Sequence, residues 1–208
     1  MGFQKTYTTG GGAVASYNYT DIDEGTGITT YNGFSSEKSA GEQYGLTTAT
    51  PFSHLVSSSG SLGTSVQFSG AFFTGVQNLP RLLKGTATIS FTWRVTNGSG
   101  SNQNFPFVKL FKYDGTTSTL IAETSGSIIN SAGGVMRTTC IKISDITTTK
   151  IEVGEQIELR VGITGADAGS TPKGFIAHDP QNRDDDWFTT GNFDTTKLVF
   201  DCPFKIDL

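Results

Sequence analysis

Between Thr86 and Thr96 apolar and polar residues alternate without a break. Ala87, Ile89, Phe91, Trp93 and Val95 fall on one face of an extended chain, and Thr86, Thr88, Ser90, Thr92, Arg94 and Thr96 on the other. The same period of two runs through Glu155–Ile163, where Ile157, Leu159, Val161 and Ile163 face inward while Glu158 and Arg160 face outward. It returns in Thr196–Asp207, where Leu198, Phe200, Cys202, Phe204 and Ile206 share the inner face. Pro203 lies on the outer face of that last strand, and having no N–H to give a ladder it predicts an edge position or a bulge.

Shorter stretches predict further strands at Ala13–Tyr19, Gly27–Tyr31, Ser65–Phe73, Phe105–Tyr113, Thr119–Glu123, Arg137–Ser144 and Gly174–His178, about ten in all with the three above. Turn chemistry separates them: Asn97-Gly98-Ser99-Gly100, Asp114-Gly115, Ser131-Ala132-Gly133-Gly134 and Gly165-Ala166-Asp167-Ala168-Gly169. Tyr113-Asp114-Gly115-Thr116 marks a hairpin. Only Asn78–Lys84 has room for a helical turn, and it is short enough to be a loop. Short strands recurring with turn signals roughly every 8–12 residues favour an all-β chain of two packed antiparallel sheets, a jelly-roll-like β-sandwich. Ser35–Gly63, rich in Ser, Thr and Gly, also carries Tyr44, Phe52, Leu55 and Val56 and reads as a long ordered excursion rather than a linker. Residues 1–12, ending in Gly10-Gly11-Gly12, read as an N-terminal arm, and 13–208 as one domain without internal repeats.

Composition sharpens this picture. Fifteen Phe, six Tyr and two Trp in 208 residues concentrate burial in large rings, and a charged fraction of only 16% leaves the exposed strand faces to hydroxyl side chains. A net charge of -4 without a Lys/Arg cluster argues against nucleic acid as a partner. No stretch approaches a membrane span and the N-terminus lacks an apolar signal core, so the expectation is a chain made in the cytosol that leaves it only inside a larger particle. Met1-Gly2 opens like a myristoylation signal, but Lys5 and Tyr7 do not continue it. Cys140 and Cys202, 62 residues apart in alternating patterns, are read as two buried free thiols, with one inter-strand bridge as the alternative.

Catalytic and metal motifs are missing from the pattern. The histidines are His54 and His178, and there is no Gly-x-Ser-x-Gly elbow, phosphate loop, Cys-x-x-Cys or His-x-x-x-His spacing. The expectation is therefore a non-enzyme without cofactor or resident metal. The densest polar cluster is His178–Trp187, whose Asp179, Asn182, Arg183, Asp184, Asp185, Asp186 and Trp187 form the candidate binding loop. Oxygen-rich loops suit Ca²⁺, and Asp, Asn and Trp suit a sugar. The plainer reading pairs Asp179 with Arg183 in a surface loop and leaves Asp184–Asp186 to solvent. Asp21-Ile22-Asp23-Glu24-Gly25 resembles the start of a calcium loop but lacks its later ligands, and reads as a tight turn. Phe34, Tyr44, Phe52, Phe72, Phe73, Phe105 and Phe107 exceed what one sheet face needs, so some are expected on a surface buried between subunits.

The segments YNYTDIDEGTGITTYNGF (17–34), GFIAHDPQNRDDD (174–186) and TTKLVFDCPFKIDL (195–208), with FTWRVTNGSGSNQNFPFVKLFKYDGTTSTLIAETSG between them, resemble small β-sandwich virion proteins of tailed phages and similar viruses. The resemblance implies a jelly-roll-like subunit that coats a capsid or sits on a tail, often as a trimer, and carries over no functional residue. Three expectations follow. The first is a capsid decoration or cement subunit on the major capsid protein, localised to the virion. The second is a carbohydrate- or receptor-binding module using the acidic loop and Trp187. The third is a calcium-dependent hydrolase using Asp21, Asp23 and Asp184–Asp186.

Overall fold

The structure, a computed structural model, describes residues 5–9, 13–17, 26–38, 41–51, 53, 56–61, 67–96, 103–130, 136–166, 173–183 and 196–205. Its elements are all strands: β1 (Lys5–Thr9), β2 (Ala13–Tyr17), β3 (Thr26–Lys38), β4 (Gly41–Thr47), β5 (Val56–Ser61), β6 (Gln67–Thr74), β7 (Arg81–Thr96), β8 (Gln103–Tyr113), β9 (Ser118–Ser125), β10 (Ile129–Asn130), β11 (Met136–Ile151), β12 (Gln156–Ala166), β13 (Lys173–Ala177) and β14 (Leu198–Lys205). The predicted all-β class holds. Asn78–Lys84 holds no helical turn: after a bend at Asn78 and Leu79 the chain enters β7 at Arg81.

Hydrogen bonding joins the strands into one mixed sheet in the order β10-β8-β12-β6-β4-β3-β14-β7-β13-β5, with β9 on β8, β11 on β7, and the β1–β2 hairpin on β3. Two halves of this path enclose the core. Val108, Leu110, Leu159, Val161 and Phe72 come from β8, β12 and β6, while Ile89, Phe91, Trp93, Ile141 and Phe200 come from β7, β11 and β14, and all belong to one buried cluster. Strand β3 is long enough to serve both halves, pairing with β14 through Thr26–Asn32 and with β4 through Asn32–Lys38. The ladder between the halves is thinnest at β4 and β6, the one parallel contact among the described strands, made by Gly45↔Phe73 and Leu46↔Thr74. On the opposite side β9 and β11 come together without pairing: a methyl at Gly126, just after β9, would lie 3.5 Å from Ile141 Cδ1 of β11.

Side-chain alternation explains which residues fill the core. All five inward residues of the Thr86–Thr96 pattern are buried, and Trp93 adds a hydrogen bond from Nε1 to Thr139 Oγ1 at 2.9 Å. The outward row is a hydroxyl ladder: Thr92 and Thr138 share a hydrogen bond at 2.8 Å, and Thr30 donates to Asp201 at 2.7 Å. Tyr31 stacks on Phe200 with centroids 6.0 Å apart. Close packing of β3 on β14 requires Gly33, where a Cβ would stand 2.8 Å from Leu198 Cδ2.

Pro203 is at a bulge and not at an edge. Strand β14 is flanked by β3 and β7, and its ladder to β7 is interrupted between Asp201↔Thr88 and Lys205↔Leu82. Gly85 of β7 fills that interval with φ 114°, and β11 shifts register at the same level around Asp145, with φ 56°. The missing proline donor is thus absorbed where the neighbouring ladder is already broken. The N-terminal hairpin is described from Lys5, with β1 paired to β2 from Lys5↔Tyr17 to Thr9↔Ala13.

Cys202 lies in the core as its alternation predicts, but Cys140 is exposed. The correction has a simple cause. Cys140 is opposite Ser90 on the hydroxyl face of β7, whereas Ile141 beside it meets Ile89 inside. The two thiols occupy opposite faces of the sheet, so a bridge between them is excluded without backbone rearrangement, and both are free.

Candidate functional site

The described part of the acidic loop follows β13 and is built around a buried carboxylate. Asp179 is fully buried, not a surface residue as the pattern suggested, because the loop folds back under the segment that enters β14. Its backbone N–H donates to Thr196 O at 2.9 Å, and its carbonyl accepts from Asn182 N at 3.0 Å. Its carboxylate accepts hydrogen bonds from the backbone N–H of Gln181 at 3.1 Å and of Arg183 at 2.6 Å. The Arg183 guanidinium adds Nε at 3.1 Å and Nη2 at 3.3 Å.

Arg183 and Asn182 carry the tie outward. Arg183 Nη2 also donates to the carbonyl of Ser53, and Ser53 Oγ accepts from Ser35 N of β3 at 2.9 Å. Asn182 is exposed and has φ 54°, a left-handed conformation that Asn tolerates better than most residues. Its side-chain oxygen accepts from Thr196 N at 2.8 Å, while Thr196 Oγ1 donates to Arg183 O at 2.9 Å. His178, also buried, packs edge-on against Tyr44 and Phe72, with centroids 5.5 and 5.7 Å away. The loop therefore fastens β13 to β14, β3 and the segment before β5. Asp184, Asp185, Asp186 and Trp187 lie outside the described residues, as do Asp21–Glu24, His54 and Phe52.

A second polar cluster lies where the pattern indicated only solvent. Glu158 and Arg160 project from the outer face of β12, but Glu158 is fully buried. Its carboxylate accepts from Ser118 Oγ at the start of β9 and from Arg160 Nε, and the guanidinium lies over the Phe111 ring, 4.2 Å from its centroid. Phe73 of β6 and Phe111 of β8 flank Glu158 in register, and Phe73 reaches Tyr113 across β12 with centroids 5.0 Å apart. Facing outward is not being exposed when both neighbouring strands carry rings. The surplus of Phe in the sequence was the available sign of this cover. Lys109 of the same face pairs with Glu123 at 2.8 Å, and Lys112, in register with inward-facing Ile157 at the strand end, pairs with Glu155 at 3.2 Å.

Burial pushes the Cys202 thiol up to about 12, with Asp201 adding to the shift and Arg81 opposing it. The Tyr31 phenol is also pushed up to about 12, first by burial and then by Cys202, against the pull of Arg81. Among the described residues no group of three or more His, Cys, Asp and Glu side chains comes together as a metal site, and no helix is long and apolar enough to cross a membrane.

No protein-family model and no curated protein matches the chain. Solved structures do. An aminopeptidase from the marine sediment archaeon Thaumarchaeota archaeon aligns over 96% of this chain and 40% of its own, with 9% identity and a TM-score of 0.53. A CocE/NonD family hydrolase from Staphylococcus aureus aligns over 84% of this chain and 36% of its own, with 11% identity and a TM-score of 0.50. The infectious bursal disease virus VP2 subviral particle aligns over 74% of this chain and 35% of its own at 12% identity, but its TM-score of 0.33 carries no inference. This chain spans at most 40% of the length of these structures, and the likeness of the first two is one of fold alone.

Proposed function

We propose that this chain is a non-catalytic structural subunit of a virion, a capsid decoration or cement protein that sits on the outer face of a major capsid protein as a trimer. The observation that supports this reading is the use made of the buried charges. Asp179 with Arg183, and Glu158 with Arg160, are bonded to each other and to neighbouring strands, so these groups hold the fold instead of facing a reactant. The outer face of β11, β7, β14 and β3 mixes hydroxyl side chains with a few charges, Lys142 and Asp201 on either side of Thr88 among them, a composition suited to lying against another protein surface. Sedimentation of the purified chain with intact virions of its source tests the reading, with saturable binding expected. Absence of binding, or turnover of any substrate in an ester- and peptide-hydrolysis panel, would sink it.

One observation favours carbohydrate binding as a second reading, at a different place from the acidic loop. Asp179 and Arg183 already spend their polar atoms on the fold, whereas Phe73 and Tyr113 are half-buried rings in mutual contact on the outer face of β6, β8 and β12, which also carries the Phe111 ring under the Arg160 guanidinium. Rings next to planar polar groups can stack on sugars. A glycan array decides: a reproducible hit abolished by Tyr113→Ala replaces the structural reading, and a blank array leaves it standing.

A further inference from the structure

Positive charge is spread unevenly over the domain. Among the residues whose side chains are described, the exposed basic ones are Lys84, Lys142, Lys150 and Lys205, and the register puts all of them on the outer face of β11, β7 and β14. Lys150 and Lys205 flank Leu82 in one row across the three strands, and Lys84 follows two positions along β7, with Leu83 between them buried in the core. Lys142 stands opposite Thr88, nearer the middle of the face. Elsewhere Lys109, Lys112, Arg160 and Arg183 each meet a carboxylate. On this face Lys150 meets Glu152 at 3.0 Å, but Lys84, Lys142 and Lys205 are in no ion pair among the described residues. Asp201, also opposite Thr88, already accepts a hydrogen bond from Thr30 at 2.7 Å.

We propose that the lysines around Leu82 receive the acidic run Asp184-Asp185-Asp186 of a second copy, in a head-to-tail contact that builds the trimer. The run lies outside the described residues, but its anchor is placed. Thr196 Oγ1 donates to Arg183 O at 2.9 Å, which holds Arg183 beside the segment entering β14, and the run begins at the next residue. Lys205 closes the other end of β14, and Lys84 lies two positions from its partner Leu82. From Leu198 to Lys205 the strand covers about 23 Å, whereas the three residues past Arg183 extend the chain by at most about 11 Å. Each copy thus carries the two charges at opposite ends of β14, and they meet between copies. The number of charges decides the class of partner. An anionic bilayer is held by about four to eight clustered cations and a nucleic-acid duplex by roughly six to ten, and three unpaired lysines with Asp201 among them fall short of both. Their sign decides the symmetry. A lysine face laid on the same face of another copy opposes like charges, so the contact is heterologous, the kind that closes into a ring. The inference rests on the trimer in the reading above and assigns its contact.

The test is sedimentation velocity on the full chain at about 50 mM and about 500 mM NaCl, conditions that differ severalfold in the reach of exposed charges. Wild type is compared with Lys84→Glu/Lys205→Glu, with Asp184→Lys/Asp185→Lys/Asp186→Lys, and with the chain carrying both sets. The neutral changes Lys84→Gln/Lys205→Gln and Asp184→Asn/Asp185→Asn/Asp186→Asn replace any reversal that circular dichroism shows to be unfolded. A wild-type trimer is expected at the lower salt, each single reversal should weaken association about tenfold or more, and the chain with both reversals should recover it, because the charges have only changed sides. The neutral sets should each weaken association in the same direction, and by less at the higher salt. A wild-type monomer, a trimer indifferent to these changes, or no recovery in the doubly reversed chain overturns the contact. Binding to phosphatidylserine–phosphatidylcholine vesicles or to duplex DNA that the lysine variants lose, without any change in assembly, overturns it in favour of a polyanion. Cosedimentation with source virions keeps the two readings apart: a monomer that still binds them removes this contact and leaves the virion-surface reading standing.

Discussion

Replacing Arg183 by Ala isolates what the Asp179 tie contributes. The guanidinium supplies two of the four N–H groups around a fully buried carboxylate, and the backbone N–H groups of Gln181 and Arg183 supply the others. Stripping the partner from a buried charge costs about 3–5 kcal/mol, and because two backbone donors remain the lower end applies, about 3 kcal/mol. Loss of the bond from Arg183 to Ser53 O falls within the same figure. In a chain of this length that corresponds to a fall in Tm of roughly 6–12 °C. Asp179→Ala should cost a similar amount, because the two backbone donors lose their acceptor. The double variant should cost less than the sum of the singles by about 2 kcal/mol, since both remove the same interaction. Urea titration of the four proteins reads all of this. A loss below about 1 kcal/mol for Arg183→Ala, or strict additivity, would refute the buried tie. Millimolar Ca²⁺ should leave the wild-type Tm unchanged, because a stabilising ligand must bind the native state and the Asp179 carboxylate is already surrounded by donors.

Trp93→Ala should cost about 4 kcal/mol in the same titration, from the cavity it opens between the sheet halves and the lost bond to Thr139; a loss under about 1 kcal/mol would mean that Trp93 is not enclosed. A maleimide should label one thiol, Cys140, in the native protein at pH 8 and two after denaturation, because Cys202 is buried and its thiol is pushed up to about 12; two fast native labels would contradict that burial. Backbone N–H groups of Thr117 and then Thr116 hold the exposed Asp114 carboxyl below its ordinary value. The hairpin's contribution should therefore be complete above the unfolded value and be lost as pH falls through the folded one. An NMR titration of Asp114 checks the direction, and Asp114→Ala should remove this acid dependence.

What the sequence revealed and what it concealed follow from the range of the forces involved. The Thr86–Thr96 strand, the Glu155–Ile163 strand and the Tyr113–Thr116 hairpin were legible because their signals are local: alternation in the first two, and an Asp whose side chain accepts from Thr116 and Thr117 in the third. Strands β4 and β5 were hidden inside the Ser35–Gly63 excursion, since GEQYGLT and VSSSGS alternate poorly and owe their place to pairing with β3 and β13. Cys140 and Ile141 show the limit more sharply. They are neighbours in the chain, and a one-residue choice of face sends one to solvent and the other to the core, a choice made by the register against Ser90 and Ile89. The local pairing of Asp179 with Arg183 was readable from four-residue spacing, but its burial was not, because Ser53 and Thr196 come from distant parts of the chain. Glu158 makes the same point. Alternation correctly placed it on the outer face of β12, yet only pairing with β8 and β6 brings Phe111 and Phe73 alongside it, and only β9 brings Ser118 to its carboxylate. Period-two reasoning assigns a side chain to a face; the neighbouring strands decide whether that face meets water.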